Sequence, residues 1–269
     1  MSTRDSRGTS GGGIIRPRPD GRWEGRYTVC IDPGTGKPIQ KSIYGKTKRR
    51  CESVYAKSHL KSTREVGAFL RAIEGHRFAS LYLVDLFTGM RQGEILGLTW
   101  DCVDFRRGTI FLYRQLQQRQ AKGDFGYYFT SLKNGKSRTI TPAPTVMRVL
   151  QAQRKAQNEM RLRAGAAWHN DEELVFTDEL GRPLSRRTVY KNFKQIANQL
   201  DLPNLRFHDL RHTFATISFQ SGDDPKTVQE NLGHHSAAFT LDVYGHVTDR
   251  MKRESAERME RFIHSTIAR

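Results

Sequence analysis

Cysteine is scarce in this chain and forms no pattern: Cys30, Cys51 and Cys102 make neither a CxxC pair nor an even set. That argues against a disulfide framework or a cysteine-rich zinc site and fits a reducing compartment. No stretch approaches the roughly 18 apolar residues that a membrane-spanning helix requires. The N-terminal MSTRDSRGTSGGG lacks the apolar core of a secretory signal, so a cytoplasmic protein without a membrane partner is expected. Acidic residues are also in short supply, with 28 Asp and Glu against 45 Lys and Arg and a formal net charge of +17 at pH 7. Such a polycation has a long-range preference for polyanions, and nucleic acid is the leading partner.

The hydrophobic fraction, 36%, is low for a fully packed globule. The apolar residues that exist gather in periodic clusters after about residue 65, which predicts two unequal domains. Residues 1–12 read as a disordered arm. Residues 13–50 read as a small basic sheet, in which GRWEGRYTVCI and PIQKSIYG are separated by the turn signal Asp32-Pro33-Gly34-Thr35-Gly36. Met1–Glu65 holds 15 Lys and Arg against 6 Asp and Glu, a net +9 interleaved with Trp23, Tyr27 and Tyr44. Arg16, Arg18, Arg22, Arg26 and Lys41 are its candidate phosphate contacts; a merely solvated basic face is the plainer alternative.

Residues 51–61 read as a linker. A capping box, Ser62-x-x-Glu65, then opens a helix with Val66, Phe69, Leu70 and Ile73 on one face, and 62–269 read as the main domain. FASLYLVDLF and EILGLTW predict two more helices, parted at Thr88-Gly89. TIFLY, YYFT and SRTIT predict three short strands. Helices are expected again at about Pro144–Leu162, Arg187–Gln199 and Phe207–Gln220, with LVF at Leu174–Phe176 a candidate strand. Another helix should follow Asp224-Pro225, and a charged amphipathic one should span Asp249–Ile267, with Met251, Met259, Phe262 and Ile263 as its apolar members.

The most informative segment is FHDLRHTFAT. His208 and Arg211 lie three apart and so share a helical face, while Leu210, Phe214 and Ile217 supply a second, core-facing stripe. Upstream, TGMRQGEILGLTW puts Arg91 at a turn before a helix, with Glu94 three residues on, where it can hold the guanidinium. SLKNGKSRTI offers Lys133 on a hairpin turn, with Lys136 on the same turn. ENLGHHSAAFTLDVYGHV ends a helix at Gly233, places His234 directly after it and presents Tyr244 ten residues later. Each motif alone has a plain structural explanation: a packed tyrosine, a helix-capping histidine, a salt-bridged arginine.

In order and spacing, these motifs closely resemble those of the tyrosine recombinase (phage integrase) family from about Ser62 onward. The resemblance implies an α+β fold, with a mostly helical catalytic domain carrying a small antiparallel sheet, preceded here by a three-stranded sheet module. It also implies six catalytic residues: Arg91, Lys133, His208, Arg211, His234 and the nucleophile Tyr244. The implied activity is site-specific cleavage and rejoining of DNA through a 3′-phosphotyrosine, as in integration of mobile elements. Implied partners are double-stranded attachment-site DNA, further copies as a tetramer on DNA from a free monomer, and an excisionase or host DNA-bending protein as candidate accessory. No cofactor is implied, and the bound protein would be nucleoid-associated.

The chemistry can also be read from the residue types. A tyrosine stores the broken phosphodiester as an ester, two guanidinium forks match the non-bridging oxygens, and a lysine can protonate the leaving 5′-oxygen. His234 would add a hydrogen bond to the same oxygens, and His208 would assist proton transfer at the nucleophile. A rival is a zinc hydrolase built on His208, His212 and His235, but that motif needs Glu after the first histidine and Asp209 stands there. The basic sheet resembles the arm-site module of many integrases, after which a helical core-binding domain normally follows. Here only GKTKRRCESVYAKSHLK intervenes. A second hypothesis is therefore a shortened protein that binds attachment-site DNA and regulates a full-length recombinase.

Overall fold

A computed structural model describes residues 14–31, 38–47, 60, 62–119, 126–133, 135–233 and, near the C-terminus, 253, 256–257, 259–261 and 264. The N-terminal part is an antiparallel sheet in the order β1 (Ile14–Pro17), β2 (Trp23–Ile31), β3 (Pro38–Gly45). β1 and β2 meet through a turn in which Gly21 adopts φ +74, a conformation that a side chain resists. β2 and β3 pair from Trp23↔Gly45 to Ile31↔Pro38, with an irregularity between Thr28 and Cys30. The turn expected at 32–36 lies outside the described residues. Glu24 on the central strand is buried and accepts hydrogen bonds from Arg16 on β1 (3.0 Å) and Ser42 on β3 (2.7 Å), so one carboxylate ties all three strands together.

The helix expected after Ser62 is present. Ser62 accepts from the Glu65 amide and the Glu65 carboxylate accepts from the Ser62 amide, starting α1 (Thr63–Ala72). Next come α2 (Ala79–Thr88) and the short α3 (Gln92–Leu96), with Gly89 at φ +62 ending α2. Five strands follow: β4 (Val103–Asp104), β5 (Thr109–Leu112), β6 (Arg114–Gln118), β7 (Tyr127–Ser131) and β8 (Arg138–Ile140). The helices then resume with α4 (Pro144–Ala164), α5 (Arg186–Gln199), α6 (Asp209–Ser221) and α7 (Pro225–Leu232).

The strands form two small antiparallel sheets, β4-β5-β8 and β6-β7, where the sequence predicted one. β4 and β6 are too short or too polar to show an apolar alternation. β7 and β8 do not pair with each other, so the segment carrying Lys133 is a crossing between sheets and not a hairpin turn. Leu174–Phe176 is not a strand: Leu174 makes an isolated bridge to Thr99, and the apolar LVF run is simply buried. α3 stops at Leu96, inside the EILGLTW run, and Gly97 follows where an added Cβ would stand 2.6 Å from the Leu116 amide nitrogen. Near the C-terminus, residues 253, 256–257, 259–261 and 264 are helical and exposed; Met251, Phe262 and Ile263 lie outside the described residues.

The core is one continuous cluster from α1 through α6. At its centre Tyr82 is buried and packs against Phe69, Phe78, Phe193 and Phe207, and its hydroxyl donates to the Val189 carbonyl at 3.0 Å. Truncating Phe193 there would cost about 3–5 kcal/mol. A smaller cluster of Ala215, Phe219, Val228 and Leu232, with Phe214 beside it, packs α7 onto α6. Asp224 caps α7 by accepting from the Lys226 and Thr227 amides, and Gly233 at φ +61 ends it. These two ends fix where α7 stops, which is where the candidate site lies. No helix among the described residues is long and apolar enough to cross a membrane.

Candidate active site

The last carbonyls of a helix have no partner within it and carry the negative end of its dipole. At the end of α7 three successive carbonyls are met by three arginines from different elements. Arg138 Nε donates to Asn231 O at 2.9 Å, Arg211 Nη2 to Leu232 O at 2.5 Å and Arg91 Nη2 to Gly233 O at 3.1 Å. Arg211 also donates to Gly89 O at 2.6 Å, two residues before Arg91. The two arginines expected from the sequence are therefore brought side by side, Arg211 buried on the first turn of α6 and Arg91 half-buried at the start of α3.

Glu94 holds the group together from beneath. Its carboxylate is 1% exposed and accepts four hydrogen bonds, two from Arg91 (backbone N and Nη1, both 2.8 Å) and two from Arg138 (Nη1 3.0 Å, Nη2 2.6 Å). Burial opposes its ionisation. The Arg138 hydrogen bonds and the charges of Arg138, Arg91 and Arg211 win and hold its carboxyl at about 2. Asp85 lies one turn before Gly89, and neither of its oxygens has a hydrogen-bond partner among the described residues. Complete burial, with Arg211 opposing and Glu94 adding, pushes its carboxyl well above the usual range and so favours its protonated form.

His208 is the residue just before α6, one turn from Arg211, and its ring stands edge-on to that of His212 with centroids 5.2 Å apart. The residue keeps an exposed face. Crowding of the rest, then the His212 ring and the Arg211 cation, push its imidazole down to about 3, which makes it a neutral donor and acceptor at physiological pH. Its neighbour Asp209 is buried and taken up by Arg206, which closes the turn with a fork of 3.1 and 2.7 Å. Among the described residues no three His, Cys, Asp or Glu side chains gather in a way that could hold a metal ion, and His235 lies outside them.

Lys133 and Lys136 both stand exposed on the crossing from β7 to β8, Gly135 between them taking φ +65. The structure anchors that crossing to the site through Arg138 but brings neither lysine into a described contact with the arginines. His234 directly follows Gly233, and both it and Tyr244 lie outside the described residues. In the N-terminal sheet, Arg16 is committed to Glu24 and Arg22 to Asp20 (2.8 Å), while Arg18 and Arg22 lie over the exposed Tyr44 ring at 5.1 and 5.8 Å. Arg26 and Lys41 sit on β2 and β3, and their side chains lie outside the description.

Arg138 was missed by the sequence reading. A signal was present: on β8 it alternates with exposed Thr139 and shares a face with buried Ile140. A period-two pattern therefore turns an arginine inward, where it needs a carboxylate.

The model of the phage integrase family matches residues 63–251. The chain belongs to the phage integrase family. Among curated members, the tyrosine recombinase XerC-like protein of Caldanaerobacter subterraneus subsp. tengcongensis is 34% identical over 238 residues, covering 85% of this chain and 59% of that one. The ICEBs1 integrase of Bacillus subtilis is 28% identical over 223 residues, 78% of this chain and 58% of that one. The chain thus spans under three fifths of the length of these relatives. Among solved structures, the phage-integrase fold seen here is similar to that of the Tn1549 transposon integrase in complex with transposon right end DNA, with TM-score 0.62 at 24% identity over 76% of this chain and 66% of that one. The XerA recombinase gives TM-score 0.54 at 23% identity over 75% and 64%.

Proposed function

We propose that this protein is a site-specific recombinase that cuts and rejoins double-stranded attachment-site DNA by transesterification. The observation that carries the reading is the convergence of Arg91 and Arg211 on adjacent carbonyls at the end of α7, beside the neutral His208. Two forks so placed suit a phosphodiester, whose charge grows on its non-bridging oxygens as the bond breaks. Tyr244 attacks phosphorus and forms a 3′-phosphotyrosine ester as the 5′-oxygen leaves. His208 takes part in moving the phenolic proton, and Lys133 or Lys136 protonates the leaving oxygen. His234 donates to the same phosphoryl oxygens as the arginines. Attack of the free 5′-hydroxyl on the ester then rejoins the strand and restores the phenol.

In this reading residues 13–50 bind arm DNA, 51–61 link, and 62–269 form the catalytic domain, following an arm at 1–12. Partners are attachment-site duplexes and further copies of the chain, which is a monomer in free solution and a tetramer on DNA, with excisionase and DNA-bending proteins as accessories. Membership of the family supports it, as do relatives that are integrases and a neighbour solved on transposon-end DNA. One feature favours a second reading, a DNA-binding regulator without recombination: only residues 46–62 separate β3 from α1, too few for a helical core-binding domain.

A nicked suicide substrate that traps the covalent intermediate separates the two. A denaturation-resistant protein–DNA band that Tyr244→Phe abolishes, with DNA affinity unchanged, establishes the recombinase. Retarded DNA with no covalent band establishes the regulator. Loss of activity on chelation, restored by zinc, would instead revive the hydrolase.

A further inference from the structure

We infer that Arg138 is a positioning residue, which sets the orientation of Arg91 and the exit of α7 toward His234 by locking β8, α3 and α7 into one register. The inference rests on the recombinase reading and adds to it a residue that never touches the DNA phosphate.

Arg138 is placed to do this. Its side chain is only 9% exposed, and its three donor nitrogens are spent on partners from two elements: Nη1 and Nη2 on Glu94 of α3, Nε on Asn231 O of α7. Glu94 in turn uses the same two oxygens to hold Arg91, Oε1 through the guanidinium and Oε2 through the backbone amide. Each carboxylate oxygen thus bridges Arg138 to Arg91, and moving Arg138 moves both bridges. The close fit continues at Gly233, where an added Cβ would lie 3.0–3.2 Å from the Arg138 guanidinium and Cδ. Arg138 therefore passes directly under the backbone that leads into His234.

A planar fork is needed for this, not merely a positive charge. A lysine could neutralise Glu94, but its single nitrogen cannot bridge both carboxylate oxygens and Asn231 O in fixed directions. Glu94 would then swing with its ammonium partner and carry the Arg91 guanidinium with it. Misplacement of a transition-state contact by about 1 Å costs about a hundredfold in rate.

The test is a double-mutant cycle on the full chain with the nicked suicide substrate, scoring the rate of adduct formation at saturating DNA alongside DNA affinity. Four proteins are compared: wild type, Arg138→Gln, Arg91→Lys and the double variant. Arg138→Gln is expected to slow the adduct about a hundredfold with DNA affinity changed by less than about threefold, and to slow Arg91→Lys far less. An equal slowing in both backgrounds overturns the inference, because Arg138 would then act independently of Arg91. Arg138→Lys, the variant to use if the glutamine protein does not fold, is expected to be nearly as slow; a full wild-type rate would also overturn it. Hydrogen exchange at the Gly233 amide, which donates to Glu230 O, is measured in parallel. A wild-type chain that forms no adduct sinks the recombinase reading, and exchange alone then decides: faster exchange in Arg138→Gln than in wild type supports the lock, and unchanged exchange refutes it.

Discussion

Replacing Glu94 by glutamine tests how far one carboxylate holds this site. Glutamine keeps the shape but puts a neutral amide where four donors from Arg91 and Arg138 now meet an anion, so two guanidinium groups lose their shared acceptor charge. The native carboxyl is held at about 2 against an ordinary 4.5. At about 1.4 kcal/mol per pH unit, that gap corresponds to about 3 kcal/mol of stability at neutral pH. Breaking a buried pair typically costs 3–5 kcal/mol, so both routes give the same order of effect. The sign follows from proton binding. Because the folded value lies below the unfolded one, the stabilisation is fully present above about pH 4.5 and drains away as pH falls through about 2. Urea denaturation of wild type and Glu94→Gln should therefore differ by about 3 kcal/mol at pH 7, with the curves converging as the solution is acidified toward pH 2. Asp85, which titrates in the opposite sense, is common to both proteins and largely cancels in the difference. Curves that stay parallel from pH 7 to pH 3 would refute the argument that Glu94 is an anion gathered by arginines.

Gly89→Ala should lower stability by at least about 2 kcal/mol, because its methyl would sit 2.5 Å from Phe214 Cδ1 and 2.8 Å from Leu232 Cδ2 at φ +62; thermal melts within a degree of wild type would count against the packing described. The His208 imidazole should stay unprotonated from pH 8 to about 5 in an NMR titration, since crowding, His212 and Arg211 depress it. That depression also contributes stability that is present above about pH 6.5 and declines as the pH falls below it; a midpoint near 6.5 would refute it. Asp85→Asn should raise the melting temperature at pH 7. Burial raises the folded carboxyl above its ordinary 3.8, which costs stability above that pH, so the advantage should vanish in acid. A lower melting temperature at pH 7 would mean that Asp85 is ionised and serves as the counter-charge of Arg211.

Much of the helical frame was legible because its signals are local. The Ser62/Glu65 box, the Asp224-Pro225 start and the Gly89 and Gly233 ends each depend on residues within one turn, and each appears where the pattern placed it. The strands were harder. β6 (RQLQQ) buries only Leu116 and reads as polar; it exists because β7 supplies the partner backbone and Arg186 from α5 donates to Leu116 O at 2.8 Å. Likewise nothing near Lys133 says that β7 and β8 pair with different neighbours, since sheet partners are chosen across the whole domain.

The site divides along the same line. Arg91 with Glu94, and His208 with Arg211, were legible as pairs because three-residue spacing on a helix makes them neighbours. What joins the pairs is not a spacing at all. Arg211 reaches Gly89 across 122 positions of sequence, Arg91 reaches Gly233 across 142 and Arg138 reaches Asn231 across 93. Arg91 and Arg138 arrive at the end of α7 and Arg211 at the ends of α2 and α7, because a helix end leaves carbonyls unpaired and buried cations seek such acceptors. The sequence announces that end through Gly233 but not which donors will meet it. Arginine suits the task where lysine does not: a fork has nitrogens enough to satisfy a backbone carbonyl and a carboxylate at once. A buried arginine on a short strand is thus as informative as a motif, provided the alternation that turns it inward is read first.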